Sequence, residues 1–142
     1  NRYNGHSLLS VNVAWHSLLV SLNVSPENAL AGLMHDAPEY ILGDILRPIK
    51  RTPLFAPYRK LEDQWLELFG KKYGFKTPLD EEVKLVDNGA LLYERDVYMT
   101  AAPKQWREYP HKPIQTIPDV DPFDGKACEV AFLRRFSQLM GL

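Results

Sequence analysis

Histidine and aspartate stand side by side at His35 and Asp36, and Glu39 follows three residues past the aspartate, in the stretch Met34-His35-Asp36-Ala37-Pro38-Glu39. Two potential metal ligands and a further carboxylate therefore fall within one turn of helix. Positions i, i+3 and i+4 of a helix point in neighbouring directions, so Glu39 can face the space that His35 and Asp36 share. That arrangement suits metal binding coupled to acid/base chemistry. A His-Asp dipeptide also arises by chance, so the reading turns on what else the chain supplies.

Two more residues carry similar chemistry. His16 lies in the middle of the apolar stretch from Leu8 to Leu22, between Trp15 and Ser17. A histidine in such a helix is equally readable as a hydrogen-bonded core residue. Asp87 sits at the edge of an apolar stripe, where an unpaired carboxylate is costly to bury and calls for a partner. Glu94 follows it at i+7 on the same face and is expected to support the fold or the ligands rather than the chemistry. Two imidazoles and two carboxylates form a borderline-hard donor set, suited to one divalent ion such as manganese, cobalt, zinc, iron or magnesium, with room for water.

The elements that must position these residues read as helices. The stretch 8–22 predicts a buried helix, although its Val and Ser content leaves a strand possible. Ser25-Pro26-Glu27 reads as a capped start with proline at the first helical position, opening a helix through Ala29, Leu30, Leu33 and Met34. Pro38 lacks the amide hydrogen that a continuing helix would use, which predicts a kink or break beside the His-Asp pair. Gly43-Asp44 should end the following turn, and Arg47 to Arg51 is a short basic segment. An amphipathic helix over 57–73 is expected to bury Leu61, Trp65, Leu68 and Phe69, with Gly74 as its stop. Another, opened by Asp80-Glu81-Glu82 and reaching about Met99, should bury Val83, Val86, Ala90, Tyr93 and Val97. Within it, Asn88-Gly89 weakens the helix and permits close approach of another backbone.

Residues 100–123 hold five prolines and no clear periodicity, which predicts a long extended connection. Trp106 and Tyr109 there could cover a ligand or pin the loop to the body. A last helix, over 125–139, should present Val130, Phe132, Leu133 and Phe136.

At 142 residues, with 45% apolar and 25% charged residues, the chain is expected to form one soluble globular domain. A net charge of -1 gives no reason to expect a nucleic-acid polymer or an anionic membrane as partner. A single cysteine, Cys128, excludes an internal disulfide and reads as a small buried residue. The run Leu8–Val24 is too polar for a membrane span or signal sequence, so a cytoplasmic protein is expected.

The order His16, His35-Asp36, Asp87, with Glu39 soon after the central pair, resembles the HD-domain metal-dependent phosphohydrolases. Three segments carry the likeness: Val13-Ala14-Trp15-His16-Ser17-Leu18, His35-Asp36-Ala37-Pro38-Glu39-Tyr40-Ile41-Leu42-Gly43-Asp44-Ile45, and Val83-Lys84-Leu85-Val86-Asp87. They look like the corresponding segments of small bacterial 5′-deoxynucleotidases and phage deoxynucleoside triphosphohydrolases. The resemblance spans about residues 2–99. It implies an all-α HD-domain bundle of five or six helices, with His16, His35, Asp36 and Asp87 as metal ligands. It makes Glu39 the acid/base group and Asp44 a further site carboxylate. Arg2 and Tyr3 take the place of an arginine-aromatic pair holding phosphate and packing beside the nucleoside. Trp15 and Pro38 depart from the family pattern and are placed to reshape the pocket.

The expected activity is hydrolysis of deoxyribonucleotides, with release of the 5′-phosphate of monophosphates first and release of triphosphate from deoxynucleoside triphosphates as the alternative. Lys50 and Arg51 are candidates to help Arg2 neutralise phosphoryl charge. A silent nucleotide-binding scaffold is the reading from another class; the presence of Glu39 and Asp44 speaks against it. The apolar faces left by short helices suggest a homo-oligomer.

Overall fold

The computed structural model describes residues 11–99 and 109–142, all of them in helices, turns or extended connections apart from one isolated bridge residue. Arg2, Tyr3 and Trp106 lie outside the described residues. Asn12 caps helix α1, Val13–Asn23, by accepting from the Ala14 amide at 2.8 Å. Helix α1 therefore starts later than the apolar run alone predicts, because a side-chain cap rather than hydrophobicity sets its first turn.

Ser25 does not cap the next helix. Its hydroxyl donates to Glu82 at 2.6 Å, and Pro26–Asn28 form a 3-10 turn ahead of α2, Ala29–Met34. A carboxylate 57 positions away outcompetes the local amide. The break expected at Pro38 is present. The chain leaves α2 at His35, turns through Asp36 and restarts as α3, Ala37–Leu42, with proline in its first turn. Gly43 closes α3 at φ 81°, a left-handed backbone region open to glycine.

The basic segment forms a single turn, α4, Arg47–Lys50, followed by a long α5, Ala56–Tyr73, which Gly74 terminates at φ 83°. Helix α6, Glu81–Tyr98, begins at Asp80, whose carboxylate accepts from the Glu82 amide at 2.8 Å. Helix α7, Gly125–Met140, is capped likewise by Asp124. Six helices of six residues or more, plus the α4 turn, thus make an all-α bundle among the described residues. None is long and apolar enough to cross a membrane.

Helix α1 is the centre, packing against α2, α6 and α7. Its Trp15, Leu19 and Val20, with Val11 just ahead of the cap, meet Val83, Val86 and Ala90 of α6 and Cys128 of α7 in one core. Trp15 is wholly buried, edge-on to Tyr98, and its indole N–H donates to the Val120 carbonyl. It therefore serves the core rather than a pocket, and Pro38 is likewise buried.

Several predicted core positions face outward. Leu61 and Leu68 of α5 are exposed, and Leu66, Phe69 and Tyr73 pack on the core instead. Val97 is exposed while Glu94, on the same helix, is fully buried. On α7, Val130 and Leu133 are exposed, whereas Phe132 and Phe136 pack inward. The approach expected at Gly89 is real. The described part of the proline-rich connection crosses α6 so closely that a Cβ at Gly89 would lie 1.9 Å from the Lys112 carbonyl oxygen.

Candidate metal centre

Three separate helical segments bring His16, His35, Asp36 and Asp87 together. His16 comes from the buried middle of α1, His35 and Asp36 from the turn that Pro38 imposes between α2 and α3, and Asp87 from α6. The Nε2 atoms of His16 and His35 are 3.3 Å apart. Asp87 Oδ1 lies 3.2 Å from the first and 3.7 Å from the second. Asp36 completes the ring, with Oδ1 3.3 Å from His35 Nε2 and Oδ2 3.8 Å from His16 Nε2.

The outer nitrogens decide what the inner ones can do. His16 Nδ1 lies 2.7 Å from Glu94 Oε1, and His35 Nδ1 lies 2.7 Å from the Gly32 carbonyl oxygen. A carboxylate and a carbonyl only accept, so both Nδ1 atoms carry hydrogen and each neutral ring turns its Nε2 lone pair inward. Two lone pairs and two carboxylates then face one another over less than 4 Å, which calls for positive charge between them. His16, His35 and Asp87 are a group able to hold a metal ion, their donor atoms all within 4.8 Å of one another. A histidine whose far nitrogen is tied to a carboxylate or carbonyl is the usual form of a metal-ligating imidazole.

The titration shifts express the same crowding. Burial alone would lower the His35 pKa, but Asp36 and then Asp87 raise it to about 9, so a proton supplies the charge when no metal does. Asp87 is held well below the usual carboxylate range: burial opposes ionisation, and hydrogen bonds from His16 and His35 outweigh it.

Asp36 and Asp87 open onto a cavity of about 800 Å³ that also carries Glu39, Asp44, Lys50, Arg51 and Tyr109. Glu39 is pushed up to about 7, first by burial and then by the charge of Asp36, against the pull of Lys50. Lys50 Nζ sits 2.8 Å from Glu39 and 2.7 Å from Glu62, so its ammonium bridges two carboxylates rather than standing in solvent. Burial disfavours that ammonium, and the two glutamates more than compensate, raising its pKa.

The structure thus brings Glu39, Asp44 and Lys50 to the cavity beside the four candidate ligands, while Arg2 and Tyr3 fall outside the described residues. Two participants escape the sequence pattern. Arg47 donates to Asp87 Oδ2 at 3.1 Å, and Glu62 of α5 holds Lys50. Arg47 belonged to a visible basic segment, but Glu62 looks like any other charge on the outer face of an amphipathic helix. Arg51 donates to the Tyr109 hydroxyl at 3.3 Å and its guanidinium lies 5.2 Å from that ring.

No family model matches the chain, and no solved structure matches it. YfdR of Escherichia coli strain K12, an uncharacterized protein, is 36% identical over 94 residues, which cover 66% of this chain and 52% of that protein. An uncharacterized protein of Rhodobacter capsulatus is 34% identical over 92 residues, covering 58% of this chain and 46% of its own length. The chain is similar to both and spans about half the length of these curated relatives.

Proposed function

We propose that this chain is an HD-type, metal-dependent phosphohydrolase that releases the 5′-phosphate of deoxynucleoside monophosphates. One observation carries the reading: His16, His35, Asp36 and Asp87 converge with both Nε2 atoms turned inward, beside a cavity that holds a carboxyl group poised near neutrality. A divalent ion bound there supplies a water of lowered pKa and polarises a phosphoryl oxygen.

The chain's own groups supply the rest. Glu39, at about 7, can take a proton from an attacking water and return it to the departing sugar oxygen. Asp44 shares the cavity and adds to the upward push on Glu39. Lys50 fixes the Glu39 carboxylate, and the cationic wall formed with Arg51 stabilises negative charge growing on the phosphoryl oxygens. Arg2 and Tyr3 belong to the proposal as phosphate and nucleoside contacts.

A second reading, release of triphosphate from deoxynucleoside triphosphates, draws support from Arg51, a cavity guanidinium paired with an aromatic side chain. Product identification separates the two. Mono- and triphosphates of deoxy- and ribonucleosides are incubated with manganese, cobalt, zinc or magnesium, alongside the Asp36→Ala variant. Inorganic phosphate from monophosphates, lost in the variant, is the expected result. Triphosphate and free nucleoside would establish the second reading, and no metal-dependent turnover would remove both. Self-association belongs to the same proposal, because Tyr40, Leu54 and Leu133 are exposed; sedimentation velocity measures it.

A further inference from the structure

The two oxygens of Asp87 have different partners. Oδ1 faces His16 and His35, whereas Oδ2 accepts from Arg47 Nη2 at 3.1 Å. The other arm of the same guanidinium, Nη1, donates to Asn88 Oδ1 at 3.2 Å. Asn88 Nδ2 in turn donates to the Pro110 carbonyl oxygen at 2.9 Å, and the Lys112 amide donates to the Leu85 carbonyl at 2.9 Å. A continuous chain of hydrogen bonds therefore runs from the crossing segment through Asn88 and Arg47 to the carboxylate at the centre. Gly89 lets the segment lie that close, and the centroid of the neighbouring Tyr109 ring lies 5.8 Å from the Arg47 guanidinium carbon.

We propose that Arg47 is a positioning residue of the metal centre, fixing the plane of the Asp87 carboxylate, and that the crossing segment at Pro110 and Lys112 holds Arg47 in place through Asn88. The terminal torsion of an aspartate is broad and only weakly fixed by its own chain. A planar donor that sets one arm on the oxygen facing away from the centre and the other on Asn88 restricts it, at a site where a one-point lysine would not. The inference rests on the reading of His16, His35, Asp36 and Asp87 as ligands.

Charge and position predict opposite signs, which makes the test sharp. A cation placed beside a ligand carboxylate repels an incoming metal ion, so its removal should tighten metal binding if Arg47 acts by charge alone. If it positions Asp87, its removal should weaken binding roughly ten- to hundred-fold, the usual effect of losing a partner of a ligand.

Cobalt(II) titration followed by visible absorption reads both affinity and coordination geometry, with the melting temperature of each metal-free protein as a check on folding. Arg47→Ala should bind cobalt more weakly, with an altered spectrum and a melting temperature close to that of the wild type. Arg47→Lys, which keeps the charge but reaches one acceptor, should recover only part of the loss. Asn88→Ala, a neutral change, should shift affinity in the same direction by less, and it decides the matter should Arg47→Ala fail to fold. Unchanged or tighter cobalt binding with the wild-type spectrum would overturn the inference while leaving the ligand set intact. A wild-type protein that takes up no cobalt would overturn the ligand reading and this inference with it.

Discussion

His16 Nδ1 and Glu94 Oε1 lie 2.7 Å apart, and both side chains are wholly buried. The pair fixes which nitrogen of His16 points at the centre. Glu94→Gln keeps an acceptor but removes the charge, and metal affinity should fall roughly tenfold or more, read by competition with a chromogenic chelator. Glu94→Leu leaves a buried N–H without that acceptor and should cost about 1–3 kcal/mol, seen in urea unfolding of the metal-free protein.

Glu39 offers a separable prediction, since it lies outside the ligand set. Glu39→Gln should lower kcat by roughly a hundredfold or more while metal content stays at the wild-type level. Because its carboxyl is raised to about 7 by burial and by Asp36, the basic form accumulates above that pH. The wild-type rate should therefore climb through pH 7, and the Gln variant should lose that limb. Wild-type turnover by Glu39→Gln would exclude the residue from proton transfer.

Metal uptake should release a proton. In the metal-free protein His35 keeps its second proton up to about pH 9, so below that value metal and proton compete for Nε2. Apparent affinity should rise as pH rises towards 9, by about tenfold per unit. Calorimetric titration in two buffers of different ionisation enthalpy counts the protons directly.

Acid stability should depend on Glu82, well away from the centre. Hydrogen bonds from Lys112, Ser25 and Asn28 pull its carboxyl down to about 2. A depressed folded-state pKa means stability present above the unfolded value near 4.5 and lost as pH falls towards 2. With Lys112 partly exposed and screened, about 1–2 kcal/mol is expected. Glu82→Gln should be destabilised by that amount at pH 7 and should converge with the wild type in acid.

What the chain discloses in advance follows from how local each interaction is. The break at Pro38 and the stop at Gly74 were legible because a missing amide hydrogen or a left-handed turn is a property of one residue. The inner face of α5 was not. Leu61 and Leu68 share the helical period of a core stripe, but which side of an amphipathic helix is covered depends on neighbours far off in sequence. Ser25 fails as a cap for the same reason, since Glu82 reaches it from α6. The spacing of His16, His35 and Asp87 was visible from the start. Their meeting was implied by the family resemblance alone and not by the spacing, because 71 residues separate the outer two.

The turn at His35-Asp36 divides the molecule's labour. Helix α2 packs with α1 and α7, whereas α3 and α4 pack on α5. The candidate ligands thus sit on or beside the central bundle, while Glu39, Lys50 and Glu62 travel together on the flanking group. On the proposed reading, capture of the ion and movement of the proton fall to two groups of helices, which the backbone joins at the His35-Asp36 turn and again where α5 leads into α6. Loss of Glu39 from the flank, with Arg47 kept in place, would leave a protein that still loads metal yet turns nothing over, and such an inert, metal-filled form would pass any assay that scores metal content alone.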